Sequence, residues 1–256
     1  MWMNLFNQAD VDEVSKKIIQ RGEIVVLSGA GISTESGIPD FRSPDGIWSR
    51  YDFNEYATID ALLANPVKVF GFFKQFIEPL SKATPNPAHN SLARLEEAGV
   101  VKVLITQNID NLHQRAGSKN VVELHGNALR SRCMKCLKVY PTDEIETNKY
   151  GFPPICPDCN GLIKPDVILF GEMLPEEALK KAYEYSSNAK LMLVIGTSGT
   201  VAPASGLPYI AKKNGADIVE INIEPTILTK DVTDYFLQGK ASEIMESLKE
   251  KILYGK

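Results

Sequence analysis

Two cysteine pairs, one histidine and several short polar clusters carry most of the chemistry open to this chain. Cys133-x-x-Cys136 and Cys156-x-x-Cys159 have metal-ligand spacing. Each pair can clamp one side of a tetrahedron, and the loop between them brings the pairs together. Four thiolates close the shell and leave no position for water or substrate, so the spacing predicts one structural zinc and not a catalytic one. Disulfides or redox-active pairs are the competing reading. They are disfavoured in a chain whose first residues, MWMNLFNQADVDEV, carry acidic groups and no apolar signal segment.

The second constellation gathers where apolar runs end. Ile24 to Leu27 leads into Gly29-Ala30-Gly31, followed by Gly37 and then Pro39-Asp40-Phe41-Arg42. Glycines after a buried strand let backbone approach a ligand, and the N–H groups they expose can hold a pyrophosphate at a helix start. The usual G-x-G-x-x-G is not kept, because the third glycine is displaced to Gly37. No acidic residue closes a second strand about 20 residues on, where a ribose reader normally sits. The pattern therefore predicts a dinucleotide site of an unusual kind.

Thr106-Gln107-Asn108-Ile109-Asp110, His125-Gly126, Gly196-Thr197-Ser198 and Asn222-Ile223-Glu224 also follow apolar runs. Ligands in open α/β sheets sit beyond the carboxyl ends of strands, so these hydroxyls, amides and carboxylates should face one crevice. One of Asn108 and Asp110 could instead cap a helix starting near Leu112. Of the three histidines, His89 and His113 lie in helical contexts and read as structural hydrogen-bonders. His125 is delivered to the crevice by a strand end, where an imidazole can serve as a base near neutral pH.

The elements that must position these groups alternate. Helical patterns cover about 11–21, 86–98, 176–187, 204–214 and 242–252. Strand patterns cover 23–28, 100–106, 121–124, 165–170, 191–195 and 217–222. Such alternation predicts a Rossmann-like parallel sheet with helices on both faces. Two stretches break the rhythm and together suggest a smaller domain. One is a helical insertion at 43–83, and the other is a zinc-binding module at 128–164. The remainder, 1–42, 84–127 and 165–256, would form the nucleotide-binding domain. The helix from Asn65 to Leu80 carries Val69, Phe73, Phe76 and Leu80 on one stripe, which reads as small-domain core and, for its aromatics, as a wall for an apolar channel.

The chain has 256 residues, 44% of them hydrophobic, and a net charge of −4, which suits a globular core with a satellite domain. The mildly acidic balance argues against a dedicated nucleic-acid binder. Arg130, Arg132, Lys135 and Lys138 in the cysteine module read as a solvated face. No apolar run reaches membrane-spanning length. A cytoplasmic location is expected.

The motifs GAGIS (Gly29 to Ser33), GIPDFR (Gly37 to Arg42), TQNID, LHG (Leu124 to Gly126), FGE (Phe170 to Glu172), GTS and NIE occur together and in order with the two C-x-x-C pairs. In this the chain closely resembles the sirtuins, the NAD-dependent protein-lysine deacylases. The resemblance implies NAD consumed as a co-substrate and acetylated-lysine proteins or peptides as partners. The acyl carbonyl oxygen would attack C1′ of the nicotinamide ribose, nicotinamide would leave, and the acyl group would end on ADP-ribose. Gly29, Ala30, Gly31, Thr34, Phe41, Arg42, Gln107, Ile109, Gly196, Thr197, Ser198, Asn222, Ile223, Glu224 and Ala241 would line the NAD site. Ile38, Asp40, Asn108 and Asp110 would hold nicotinamide; His125 would be the general base, and Asn108 would also serve catalysis by orienting water or substrate. Ile168, Phe170, Gly171 and Glu172 would pair with an extended substrate peptide.

Two departures stand out. Gly199 replaces an apolar residue after the GTS motif and is expected to loosen that loop. Sirtuins that prefer succinyl or malonyl groups carry Tyr-x-x-Arg on a helix whose matching positions here are Phe73 and Phe76, with no cation. ADP-ribosyl transfer to protein, an NAD-sensing module and a zinc-ribbon nucleic-acid module are the competing functions.

Overall fold

The computed structural model describes residues 8–41, 46–141 and 149–255. Its central sheet is built from short, almost wholly apolar strands, which pair in parallel because helices cover both faces. In chain order, helix α1 (Gln8–Arg21) leads into β1 (Ile24–Ser28), then come the short α2 (Phe53–Tyr56), α3 (Ile59–Ala64), the long α4 (Pro66–Lys82) and α5 (Pro87–Glu97). β2 (Val101–Thr106), α6 (Leu112–Ala116) and β3 (Val121–Glu123) follow, then β4 (Gly126–Cys133), β5 (Val139–Pro141) and β6 (Ile163–Val167). The chain closes with α7 (Glu176–Ser187), β7 (Leu191–Ile195), α8 (Leu207–Lys213), β8 (Asp217–Asn222), α9 (Ile227–Asp231), β9 (Tyr235–Gln238) and α10 (Ala241–Tyr254).

The large sheet has the order β3-β2-β1-β7-β8-β9, and every pairing in it is parallel. From β1 the chain first builds outward through β2 and β3. It then returns to the other side of β1 and builds outward through β7, β8 and β9. The order therefore reverses between β1 and β7, and loops leaving adjacent strands there diverge and open a crevice. One face of the sheet is sealed by Val11, Val14 and Ile18 of α1, Leu92 and Leu95 of α5, and Ile244, Met245 and Leu248 of α10. The other is sealed by Ala182 of α7 and by Leu207 and Ala211 of α8.

A second sheet, β5-β4-β6, is antiparallel. The expected strand at 165–170 is thus shifted to Ile163–Val167 and belongs to this small sheet and not to the parallel one. Pro165 explains it: a residue without an N–H is tolerated on an edge strand, and β6 is one. Arg130 and Arg132 stay partly exposed, as expected of a solvated face, and also ion-pair with Glu123 and Asp166, which ties β4 to β3 and β6. A third core forms around α4, where Val69, Phe70, Phe72, Phe73, Ile77 and Leu80 pack with Leu62, Leu112, Val167 and Leu169. No helix among the described residues is long and apolar enough to cross a membrane.

Candidate active site

A cleft of about 580 Å³ lies at the reversal between β1 and β7, a size typical of small-molecule sites. The loops after β1, β2, β3, β7 and β8 all contribute to it. Gly29, Ala30, Gly31, Thr34, Asp40, Phe41, Gln107, Asn108, Ile109, His125, Gly196, Thr197, Ser198, Asn222, Ile223, Glu224 and Ala241 line it, as do Ile168, Phe170, Gly171 and Glu172. Two expected residues stand elsewhere. Ile38 lines a smaller adjoining recess with Phe72 and Phe76. Asp110 is turned inward, its carboxyl accepting from Ser33 Oγ at 2.7 Å and from the Leu112 N–H at 2.9 Å. That bond ties it to the first residue of α6, but the N-cap of this helix is Asn111 and not Asp110 or Asn108. Arg42 lies outside the described residues.

The glycines after β1 work differently from the sequence expectation. No α-helix begins there; residues Ala30–Ser36 form a 3₁₀ helix. The Gly29 N–H donates to Ile195 O and the Gly31 N–H to Gly196 O, so neither is free for a pyrophosphate. The glycines are needed because two loops cross at backbone contact. A Cβ on Gly31 would sit 2.8 Å from Gly196 Cα, and one on Gly196 would sit 2.4 Å from Ile32 N. Gly196 also has φ +60, a conformation that side chains disfavour. The loops are laced further by Gln107 Nε2 donating to Thr197 Oγ1 and Asn222 Nδ2 donating to Thr197 O, each at 3.0 Å.

His125 stands at the end of β3. Its Nδ1–H donates to Gln107 O at 3.0 Å, which fixes the tautomer and leaves the Nε2 lone pair available. Burial pushes the imidazole pKa down, and the bond to Gln107 O opposes that shift in part. The ring is therefore neutral and basic around neutral pH. Asn108 Nδ2 donates to Ser33 Oγ at 3.1 Å, which holds the amide in place beside the cleft. His89 and His113 are fully buried with ring centroids 4.8 Å apart. His89 Nδ1 accepts from the Asn86 N–H, and His113 Nε2 bonds Ser28 Oγ, so both are structural as expected.

Aromatic side chains wall the rest. Phe72, Phe73 and Phe76 of α4 and Trp48 line the cleft. Phe72 and Trp48 were missed in the sequence. Phe72 lies one residue off the stripe, and Trp48 sits in a stretch with no periodic pattern. Among the described residues no lysine or arginine lines the cleft. Phe170 spends its own backbone elsewhere: its N–H donates to Ala57 O at 2.9 Å and its carbonyl accepts from Ile59 N at 3.0 Å. Glu172 is braced by Lys164, whose buried Nζ lies 3.0 Å from Glu172 Oε2 and donates to Val167 O at 2.6 Å.

The four cysteines form a separate centre at the far end of β4. Their Sγ atoms all lie within 4.8 Å of one another, with Cys133 and Cys159 at 3.4 Å and Cys136 and Cys156 at 3.8 Å. Zinc–sulfur bonds of about 2.3 Å put tetrahedral sulfurs roughly 3.8 Å apart, so the donor set fits that ion. The residue after each pair, Leu137 or Asn160, adopts positive φ, which gives two similar knuckles. Tyr140 Oη lies 3.1 Å from Cys156 Sγ and adds a further hydrogen bond to the sulfur shell.

Comparison with known proteins agrees with this geometry. The Sir2 family model matches residues 29–203. The NAD-dependent protein deacylase of Pyrococcus furiosus is 46% identical over 245 residues, covering 94% of this chain and 97% of that protein. A solved complex of a Sir2 homologue with NAD has TM-score 0.86 and 41% identity, covering 94% of this chain and 93% of that one. A Sir2 variant solved with a deacetylated p53 peptide and 3′-O-acetyl ADP ribose has TM-score 0.87 and 42% identity, covering 94% of this chain and 98% of that one.

Proposed function

Since this chain belongs to the Sir2 family, we propose that it is an NAD-dependent protein-lysine deacylase that removes acetyl and other uncharged acyl groups. Nicotinamide, O-acetyl-ADP-ribose and the free lysine are the products. The observation that carries this reading is His125. Its Nδ1–H is committed to a backbone carbonyl and its ring lines a strand-end cleft beside Asn108.

NAD supplies the electrophilic C1′ of its nicotinamide ribose and carries the acyl group away on ADP-ribose. The chain's residues do the rest. Thr197, Ser198, Asn222 and Glu224 offer hydroxyl, amide and carboxylate groups to the phosphates and ribose hydroxyls. Asp40 and Asn108 face the nicotinamide, with Ile38 behind them. Neutral His125 takes a proton from a ribose hydroxyl once nicotinamide has left. Phe72, Phe73 and Phe76 give the acyl-lysine an apolar passage, which its uncharged amide enters without leaving a cation desolvated. The cleft is taken to lie between a nucleotide-binding domain (1–42, 84–127 and 165–256) and a small domain (43–83 and 128–164). Zinc at Cys133, Cys136, Cys156 and Cys159 holds the small domain and takes no part in the chemistry.

The test is incubation with NAD and an acetyl-lysine peptide, followed by mass spectrometry. Nicotinamide together with O-acetyl-ADP-ribose supports the reading. Protein gaining ADP-ribose while the peptide keeps its acetyl group would favour ADP-ribosyl transfer instead.

A further inference from the structure

We infer that Glu220 is a positioning residue for the nucleotide side of the cleft, acting through helix α9. This rests on the proposed NAD site. Glu220 lies on β8 with its side chain fully buried, and it does not line the cleft. Its carboxyl oxygens accept three threonine hydroxyls: Thr226 at 2.6 Å on Oε1, and Thr229 at 2.7 Å and Thr233 at 2.9 Å on Oε2. A carboxyl group inside a sheet protein is costly to bury and usually meets a cation or serves a site. Here it meets three hydroxyls, all from one short segment.

Those hydroxyls are already in use. Thr226 Oγ1 accepts from the Leu228 N–H at 3.1 Å, and Thr229 Oγ1 accepts from the Thr226 N–H at 2.8 Å. Both threonines therefore cap the start of α9 with their lone pairs while giving their hydrogens to Glu220. The carboxyl group orients the whole cap from beneath. Each end of this arrangement reaches the cleft. Upstream, Asn222, Ile223, Glu224, Pro225 and Thr226 line it directly. Downstream, Leu228 packs on Gly199, where an added Cβ would fall 2.7 Å from Leu228 Cγ at φ +67.

Gly199 is therefore not a loosened joint, contrary to the sequence expectation. It is a glycine because α9 is pressed against the loop that presents Thr197 and Ser198. Glu220 thus sets the position of two loops that would hold the ribose and phosphates, without touching either ligand. Nothing in the arrangement reaches His125 or the peptide edge.

The prediction is a selective loss of nucleotide affinity. Glu220→Gln places an amide N–H where a hydroxyl donates, so one cap must turn over. The Kd for NAD and for ADP-ribose, by calorimetry, and the KM for NAD should rise about five- to twentyfold, the cost of one misdirected hydrogen bond. Both kcat and the KM for an acetyl-lysine peptide should stay near wild type. Ile18→Ala, in the core under α1, lowers Tm without moving the KM for NAD and controls for general destabilisation. Thr233→Val removes one of the three hydroxyls and should give a smaller rise in the same constants; it decides the matter if Glu220→Gln does not fold. A folded variant with unchanged NAD and ADP-ribose affinity, or one that loses kcat at constant KM, overturns the assignment. Wild-type protein that binds neither nucleotide overturns the NAD site itself, a separate result.

Discussion

His125 has one nitrogen to work with, and the structure decides which. Gln107 O occupies the Nδ1–H, so any proton taken from substrate goes to Nε2. His125→Ala should keep the fold and lose about 10² to 10⁴ in turnover, the usual worth of a general base. Wild-type-like rates in the alanine variant would remove the assignment. The pH dependence follows from burial. The imidazole pKa is lowered from its ordinary 6.5, and the base acts only when neutral. The acid limb of kcat/KM against pH should therefore fall below pH 6.5. A limb at or above that value would point to another titrating group.

At the scale of elements, two parts of the chain make separable predictions. The paired knuckles at 133–136 and 156–159 hold four thiols and little apolar core beyond Tyr140, Ile163 and two of those cysteines. Metal-binding energy in such a module is also folding energy. One zinc per chain is expected by elemental analysis. Cys133→Ser or Cys156→Ser should lose it and loosen the β4–β5–β6 sheet, read as hydrogen exchange across 126–141. Absence of zinc with thiols oxidised in pairs would refute the metal. On the proposed reading, helix α4 governs the acyl group. Phe72 and Phe76 lie nearly parallel, 4° apart in plane, with 6.1 Å between centroids. Arg50 lines the adjoining recess with Tyr51 and Gln75 and not the cleft. A succinyl carboxylate would be desolvated there without a partner. Acetyl-lysine should be processed far faster than succinyl-lysine on one peptide backbone, compared as kcat/KM. Equal rates would mean that a cation reaches the channel.

The molecule as a whole should be sensitive to acid for a reason independent of catalysis. Burial pushes His89 down to about 4 and His113 well below its ordinary 6.5. Both are neutral when folded, while the unfolded chain protonates them near pH 6.5. The unfolded state therefore binds more protons below that pH, and stability falls as the medium is acidified. For His89 the window runs from pH 6.5 to about 4, with a loss on the order of 3 kcal/mol across it. Urea midpoints measured through that range should decline, and a His89→Gln, His113→Gln variant should show a flatter slope. An unchanged slope would place the acid sensitivity elsewhere.

The global plan was legible because apolar strands of the parallel sheet announce themselves and each ends in polar residues. β9 escaped notice because Tyr-Phe-Leu-Gln is only four residues long and half-buried at an edge. The use of the Gly29 and Gly31 N–H groups was not legible either. It depends on Gly196, far along the chain and adjacent only after folding. The same is true of Asp110, whose inward turn is set by Ser33.

The bridge between Thr58 and Phe170 has a consequence for breadth of action. Because Phe170 has given both backbone groups to residues 57 and 59, an incoming peptide is left the opposite flank, at Gly171. On the proposed reading it becomes the third thread of a seam whose other two come from the α4 insertion and from the end of β6. A seam stitched through main-chain groups is nearly blind to the side chains of the thread. It does demand N–H groups at regular intervals, so a proline beside the acyl-lysine breaks the stitch. One protein can then serve many unrelated clients, wherever a lysine stands in a stretch free to extend.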